Sequence, residues 1–157
     1  MGRYKAVVFD LDGTLQDSKI DYQKMTERVR EILIREGIPQ SVLGDRGAVY
    51  QIIRGGADAL LELGVNEERV QTVLKMMTEA MNATELEAAD GVEPKPNALQ
   101  TLETLRQNGV LMGIATRSHR VYADRCLAKM RMTEYMLGVL ARDDVPFPKP
   151  DPRHLFE

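Results

Sequence analysis

Three short apolar runs constrain this chain more than any other feature. Ala6-Val7-Val8-Phe9 is continuous, β-branched at its centre and free of polar alternation. That pattern suits a strand buried on both faces, as in a parallel sheet. Val110 to Ala115 reads as a second buried strand, and Met136 to Leu140 makes a third. Parallel neighbours cannot be joined by a hairpin and need a crossover, usually a helix. The stretches between the runs carry the apolar spacing of helices, so the chain is expected to be α/β with a Rossmann-like parallel sheet.

The first crossover is unusually long and purely helical. From Asp17 to Glu36, Ile20, Met25, Val29, Ile32 and Leu33 share one helical face, and Gly37 with Pro39 ends it. Val49, Ile52 and Ile53 predict a short helix broken by Gly55-Gly56, and Ala59, Leu60 and Leu63 another, ended by Gly64. Asn66 before Glu67-Glu68 marks a further helix start. Pro94 and Pro96 mark a linker, Asn97 is expected to cap the next helix, and Asn108-Gly109 closes it. Residues 16–90 therefore read as an all-α insertion after the first strand, and residues 1–15 with 91–157 as the α/β core.

Composition narrows the partners. The chain has 157 residues, a net charge of −3 and a sequence pI of about 5.5. Such mild acidity gives no bulk attraction to nucleic acid or to an anionic membrane surface. No apolar run reaches the length of a membrane span, and the first residues lack a secretory cleavage pattern. The single Cys126 cannot form an internal disulfide, which fits a reducing cytoplasm. Oligomeric state is not legible.

Reactive loops of open parallel sheets lie beyond the carboxyl ends of the strands. The first run ends in Asp10-Leu11-Asp12-Gly13-Thr14-Leu15. The second ends at Thr116, followed by Arg117 and Ser118. The third leads through Asp143-Asp144 to Lys149-Pro150-Asp151-Pro152. With these motifs, in this order, the chain resembles the haloacid dehalogenase-like hydrolases over nearly its whole length. It is most similar to the phosphatases of the phosphoglycolate type, with Gln16-Asp17-Ser18 at the usual entry to an α-helical cap.

The resemblance implies a small phosphorylated metabolite as substrate and Mg²⁺ as cofactor, bound by the Asp10 side chain and the Asp12 carbonyl. Asp10 would be the nucleophile that forms an aspartyl phosphate. Asp12, two residues on and on the same side of an extended chain, would protonate the leaving oxygen and later activate water. Gly13 would permit the sharp turn. Thr116 and the amide after it would hold phosphate oxygens, and Lys149 would offset their charge. Arg117 stands where the family often has Asn; a phosphate contact and a solvated arginine account for it equally well.

Arg46, Gln51 and Arg54 in the cap are candidate specificity residues, although a solvated helix face explains each as well. His119 and His154 have no metal-ligand spacing and read as helix-start residues, while Cys126 and most methionines read as core. The family's fourth motif, an acidic pair one strand later, is not in the sequence. The chain is therefore expected to be a truncated phosphohydrolase, with Ala6–Phe9 left as an exposed edge. The alternatives are a catalytically incomplete fragment or binding module, and a sugar-phosphate mutase of the same family. A receiver domain is disfavoured, because there the phosphorylated aspartate ends a later strand. Dehalogenases and phosphonate hydrolases of the family lack an acid at the position of Asp12.

Overall fold

The structure is a computed structural model and describes residues 4–43 and 48–156. In chain order the elements are β1 (Ala6–Phe9), β2 (Gln16–Asp17), α1 (Tyr22–Arg35), α2 (Gln40–Leu43), α3 (Val49–Glu62), α4 (Glu67–Ala88), β3 (Glu93–Pro94), α5 (Ala98–Gln107), β4 (Leu111–Ala115), α6 (Arg120–Lys129) and β5 (Gly138–Leu140). They fall into two compact units, Met1–Lys19 with Glu85–Glu157, and Ile20–Thr84. No described helix is long and apolar enough to cross a membrane.

The first unit is built on a parallel sheet of order β1-β4-β5. Its register pairs Phe9 with Ile114 and Ala115 with Leu140, so the three strands end at nearly the same level. Met112 and Ile114 are buried on one face of β4, against a core that includes Leu102, Tyr122 and Leu127. The expectation of strands buried on both faces does not hold. Val8 is 59% and Leu111 56% exposed, and an apolar groove lined by Ala6, Val8, Leu111, Gly113, Leu137 and Leu155 crosses the other face. The physical reason is coverage: no described helix packs over that face, so its apolar side chains line an open groove.

A second, two-stranded sheet forms where the chain leaves and re-enters this unit. β2 pairs antiparallel with β3, Asp17 opposite Glu93. Asp17 bonds Lys19 at 2.6 Å and Lys95 at 2.9 Å, and these two ammonium groups hold its carboxyl down at about 2. A carboxyl depressed in the folded state contributes stability that is complete above the ordinary carboxylate range and is lost as pH falls toward its folded value. A carboxyl-detected NMR titration is therefore expected to place the Asp17 midpoint near 2. In Asp17→Asn, the part of the acid-induced loss of stability between about pH 4 and 2 is expected to disappear.

Asn97 begins α5 differently from expectation. Its backbone adopts φ 65°, and its side chain makes no capping bond. Asn tolerates the left-handed region better than most residues, and that tolerance is what the position uses.

The second unit is all helical. Asp21 caps α1 by accepting from the Lys24 amide at 2.9 Å, and Asn66 caps α4 through the Arg69 amide at 2.8 Å. The predicted break at Gly55-Gly56 is absent: α3 runs unbroken through both glycines. Gly56 is there for packing. A Cβ on it would lie 2.4 Å from Leu33 Cδ1 and 2.6 Å from Cδ2, and Leu33 is fully buried on α1. Around Gly55 the same space is open. The two adjacent glycines should therefore respond oppositely to alanine. Gly55→Ala is expected to stabilise by roughly 0.5–1 kcal/mol through backbone entropy, and Gly56→Ala to destabilise by about 1–2 kcal/mol through overpacking. Urea denaturation midpoints of the two variants give the comparison.

Candidate active site

The aligned strand ends place Asp10, Thr116 and Ala141 one residue beyond β1, β4 and β5. After Asp10 the chain buries Leu11 and turns tightly. The Leu11 carbonyl accepts from the amides of Leu15 and Gln16, and the Gly13 amide donates to the Gln16 carbonyl at 2.9 Å. Gly13 has φ +78°, a conformation costly for any residue with a Cβ. Leu11 is the buried plug between two carboxylates that both remain half-exposed.

Asp10 and Lys149 meet directly, with Lys149 Nζ 2.6 Å from Asp10 Oδ1. They are 139 positions apart in sequence. His154, expected to start a helix, instead lies buried in the short 3₁₀ turn Pro152–Leu155 and holds the lysine loop. Its Nδ1 accepts from the Lys149 amide at 2.9 Å, and its Nε2 lies 3.1 Å from the Leu140 carbonyl. An imidazole protonated on Nε2 satisfies both bonds at once. Asp151 caps the same turn through the Arg153 amide.

Among the described residues, three side-chain donors converge on Asp12. Gln16 Nε2 at 2.7 Å and the Tyr122 hydroxyl at 3.0 Å reach Oδ1, and the Ser118 hydroxyl reaches Oδ2 at 2.6 Å. Gln16 and Tyr122 are also bonded to each other at 2.9 Å. Burial, and then the nearby Asp12 charge, push the Tyr122 hydroxyl strongly up, so it remains a donor. A carboxylate offers about two acceptor positions per oxygen. Oδ1 is filled, whereas Oδ2 keeps one position for a proton. Tyr122 is marked by no motif, and the sequence marks Gln16 only as part of Gln16-Asp17-Ser18 at the cap entry; its burial and its bond to Asp12 come from the fold.

The loop after β4 is closely held. Thr116 is 1% exposed, its amide donates to the Leu140 carbonyl, and its Oγ1 accepts from the Ser118 amide at 3.1 Å. Arg117 is exposed, while its carbonyl accepts from Arg142 at 2.7 Å. Asp143 and Asp144 serve the start of α6: Asp143 accepts from the Arg120 amide, and Asp144 pairs with the Arg120 guanidinium at 2.6 Å. His119 sits at the N-cap position of α6 with Nε2 3.4 Å from Asp143. Cys126 is fully buried, and burial pushes its thiol up to about 11, leaving it protonated and inert.

The cap candidates lie in the other unit. Gln51 accepts from the Ala48 amide at 3.2 Å with its side-chain carbonyl, a helix-capping role. Arg54 is exposed on α3, and Arg46 lies outside the described residues. Among the described residues, no three His, Cys, Asp or Glu side chains form a cation cage. The Asp10 carboxylate and Asp12 carbonyl are nevertheless hard oxygen donors, and a small divalent cation completes such a set with substrate phosphate and water.

A parallel α/β sheet with an acid pair at one strand end and a lysine from a distant loop beside it defines a recognisable class. The chain belongs to the haloacid dehalogenase-like hydrolases, whose family profile matches residues 4–157. Phosphoglycolate phosphatase 1 of Pseudomonas aeruginosa is 30% identical over 160 residues, which cover 96% of this chain and 55% of that protein. A phosphoglycolate phosphatase of Agrobacterium fabrum is 27% identical over 94% of this chain and 63% of its own length. The chain thus spans little more than half the length of such curated relatives. Among solved structures, one described as a predicted phosphoglycolate phosphatase from Haemophilus somnus gives a TM-score of 0.60 at 19% identity, covering 99% of this chain and 70% of that one. A hydrolase from Pseudomonas syringae gives 0.60 at 24% identity, with coverage of 94% and 65%. At these identities the likeness speaks to the fold.

Proposed function

We propose that the chain carries the phosphoryl-transfer site of a Mg²⁺-dependent phosphohydrolase acting on a small phosphomonoester through an aspartyl phosphate. The observation that carries this reading is the contact between Lys149 Nζ and Asp10 Oδ1 at 2.6 Å. It sets a cation against a strand-end carboxylate exposed enough to meet a substrate. The relatives named phosphoglycolate phosphatase support a compact anionic substrate.

The residues divide the reaction between them. An Asp10 oxygen attacks phosphorus, and the bond to the leaving oxygen breaks. Asp12 gives that oxygen the proton held on Oδ2, so the alcohol departs neutral. Water then attacks the phosphorus and loses a proton to Asp12 Oδ2, and the bond from phosphorus to Asp10 breaks. Lys149 and the Thr116 hydroxyl bind the non-bridging oxygens and offset the charge that builds on them. Mg²⁺, held by the Asp10 carboxylate and the Asp12 carbonyl, supplies electrostatic neutralisation when bound. Gln16, Tyr122 and Ser118 keep Asp12 oriented throughout.

The test is release of inorganic phosphate by the full chain, with Mg²⁺ and with EDTA, from a panel including 2-phosphoglycolate, p-nitrophenyl phosphate and a hexose phosphate. Metal-dependent release is the expected result. Isomerised hexose phosphate without release would point to a mutase. Phosphate binding without turnover of any ester would leave a binding module.

A further inference from the structure

We propose that Glu85 and Arg142 are positioning residues that hold the loop Thr116–His119 in its anion-binding shape; the inference rests on the phosphoryl-transfer reading of that loop. Glu85 lies near the end of α4, more than thirty positions before the loop, and belongs to none of the motifs that mark the site. It is 3% exposed, and the Arg142 side chain is 9% exposed. Charged groups are held in an interior only where specific bonding compensates for lost water, and here that bonding includes two contacts with the backbone of one loop.

Arg142 Nη1 lies 2.8 Å from Glu85 Oε1, and Nη2 lies 3.3 Å from Oε2. Each partner also grips the loop backbone. Glu85 Oε2 accepts from the His119 amide at 2.8 Å, and Arg142 Nη1 donates to the Arg117 carbonyl at 2.7 Å. The Arg142 amide donates to the Ser118 carbonyl at 3.1 Å.

These bonds determine two consecutive peptide planes. In a trans peptide the carbonyl and the amide of one plane point in opposite directions. With the Arg117 carbonyl turned to Arg142, the Ser118 amide of the same plane points to Thr116 Oγ1, where it is found at 3.1 Å. With the Ser118 carbonyl on the Arg142 amide, the His119 amide points to Glu85. The pair therefore turns both carbonyls away from the Thr116 hydroxyl. An anion beside that hydroxyl is thereby spared the Arg117 and Ser118 carbonyl oxygens, which are held on Arg142 and would otherwise repel it. Without the Glu85 carboxylate, Arg142 loses the partner that sets Nη1 against the Arg117 carbonyl, and the hold on the 117–118 plane weakens.

The test combines amide hydrogen exchange with a titration of inorganic phosphate in Mg²⁺, followed by ¹H–¹⁵N NMR on the full chain and on Glu85→Gln. Gln keeps the shape and one acceptor, and Arg142→Lys serves if Glu85→Gln does not fold. In the variant, exchange at Ser118 and His119 is expected to rise about tenfold while Leu127 and Met130 in and beside α6 keep their protection. Phosphate affinity is expected to fall about tenfold, the equivalent of one charge-assisted bond. Unchanged exchange at Ser118 and His119 would overturn the proposal, as would a rise shared equally by Leu127 and Met130. Wild type that binds no phosphate overturns the phosphoryl reading itself, while wild type and variant binding equally overturn the positioning role alone.

Discussion

Asp10→Asn is expected to lower ester turnover by at least about a thousandfold, or roughly 4 kcal/mol of transition-state stabilisation. The amide is a poor nucleophile, and Lys149 loses the carboxylate now 2.6 Å from its Nζ. The loss should be the same for every ester, because the nucleophile is needed whatever leaves. Asp12→Asn gives a contrasting pattern. Its amide oxygen can still accept from Gln16 and Tyr122, and its NH₂ can donate to the Ser118 hydroxyl, so the local geometry is preserved. What disappears is the proton. Loss of a general acid typically costs about 10²–10⁴-fold, and it should fall on alkyl esters whose leaving oxygen is basic. p-Nitrophenolate leaves without help, so its ester should lose far less in the first step. Comparing kcat/KM for p-nitrophenyl phosphate and 2-phosphoglycolate in both variants provides the check. Equal losses for the two esters in Asp12→Asn would refute an acid role for that residue.

The second large effect is expected at His154. In His154→Ala the Lys149 amide and the Leu140 carbonyl lose their bridging ring in a buried setting. Two unsatisfied backbone groups and a cavity together predict a loss of about 2–4 kcal/mol. Asn in the same place can still offer an oxygen to the Lys149 amide and should recover part of the loss. Denaturation midpoints of the two variants measure this. Turnover should fall as well, since the loop that loosens is the one that sets Lys149 on Asp10.

Legibility in the sequence followed the range of the interactions. The three apolar runs, the turn at Gly13 and the strand-end aspartates depend on neighbours a few residues away, and their spacing alone announces them. The contacts that organise the site span much greater distances: Tyr122 reaches back 110 positions to Asp12, and Arg142 reaches back 57 to Glu85. No local pattern marks such residues, since a glutamate on a helix or an arginine after a strand is ordinary until its partner is known. Gly56 shows the same limit in reverse. Paired glycines read as a helix break, yet the cause is a leucine on another helix whose position periodicity does not reveal. The open face of the sheet escaped for a related reason, because an apolar run records what a strand can bury and not what is there to cover it.

The bonds on Asp12 bear on the timing of cost in a reaction cycle. A carboxylate free to rotate must surrender that freedom as the transition state forms, and the loss raises the barrier at each turnover. Gln16, Tyr122 and Ser118 impose a single rotamer on Asp12 in the resting protein. In the proposed reaction its ordering entropy is therefore lost once, when the chain folds, and does not recur with each turnover.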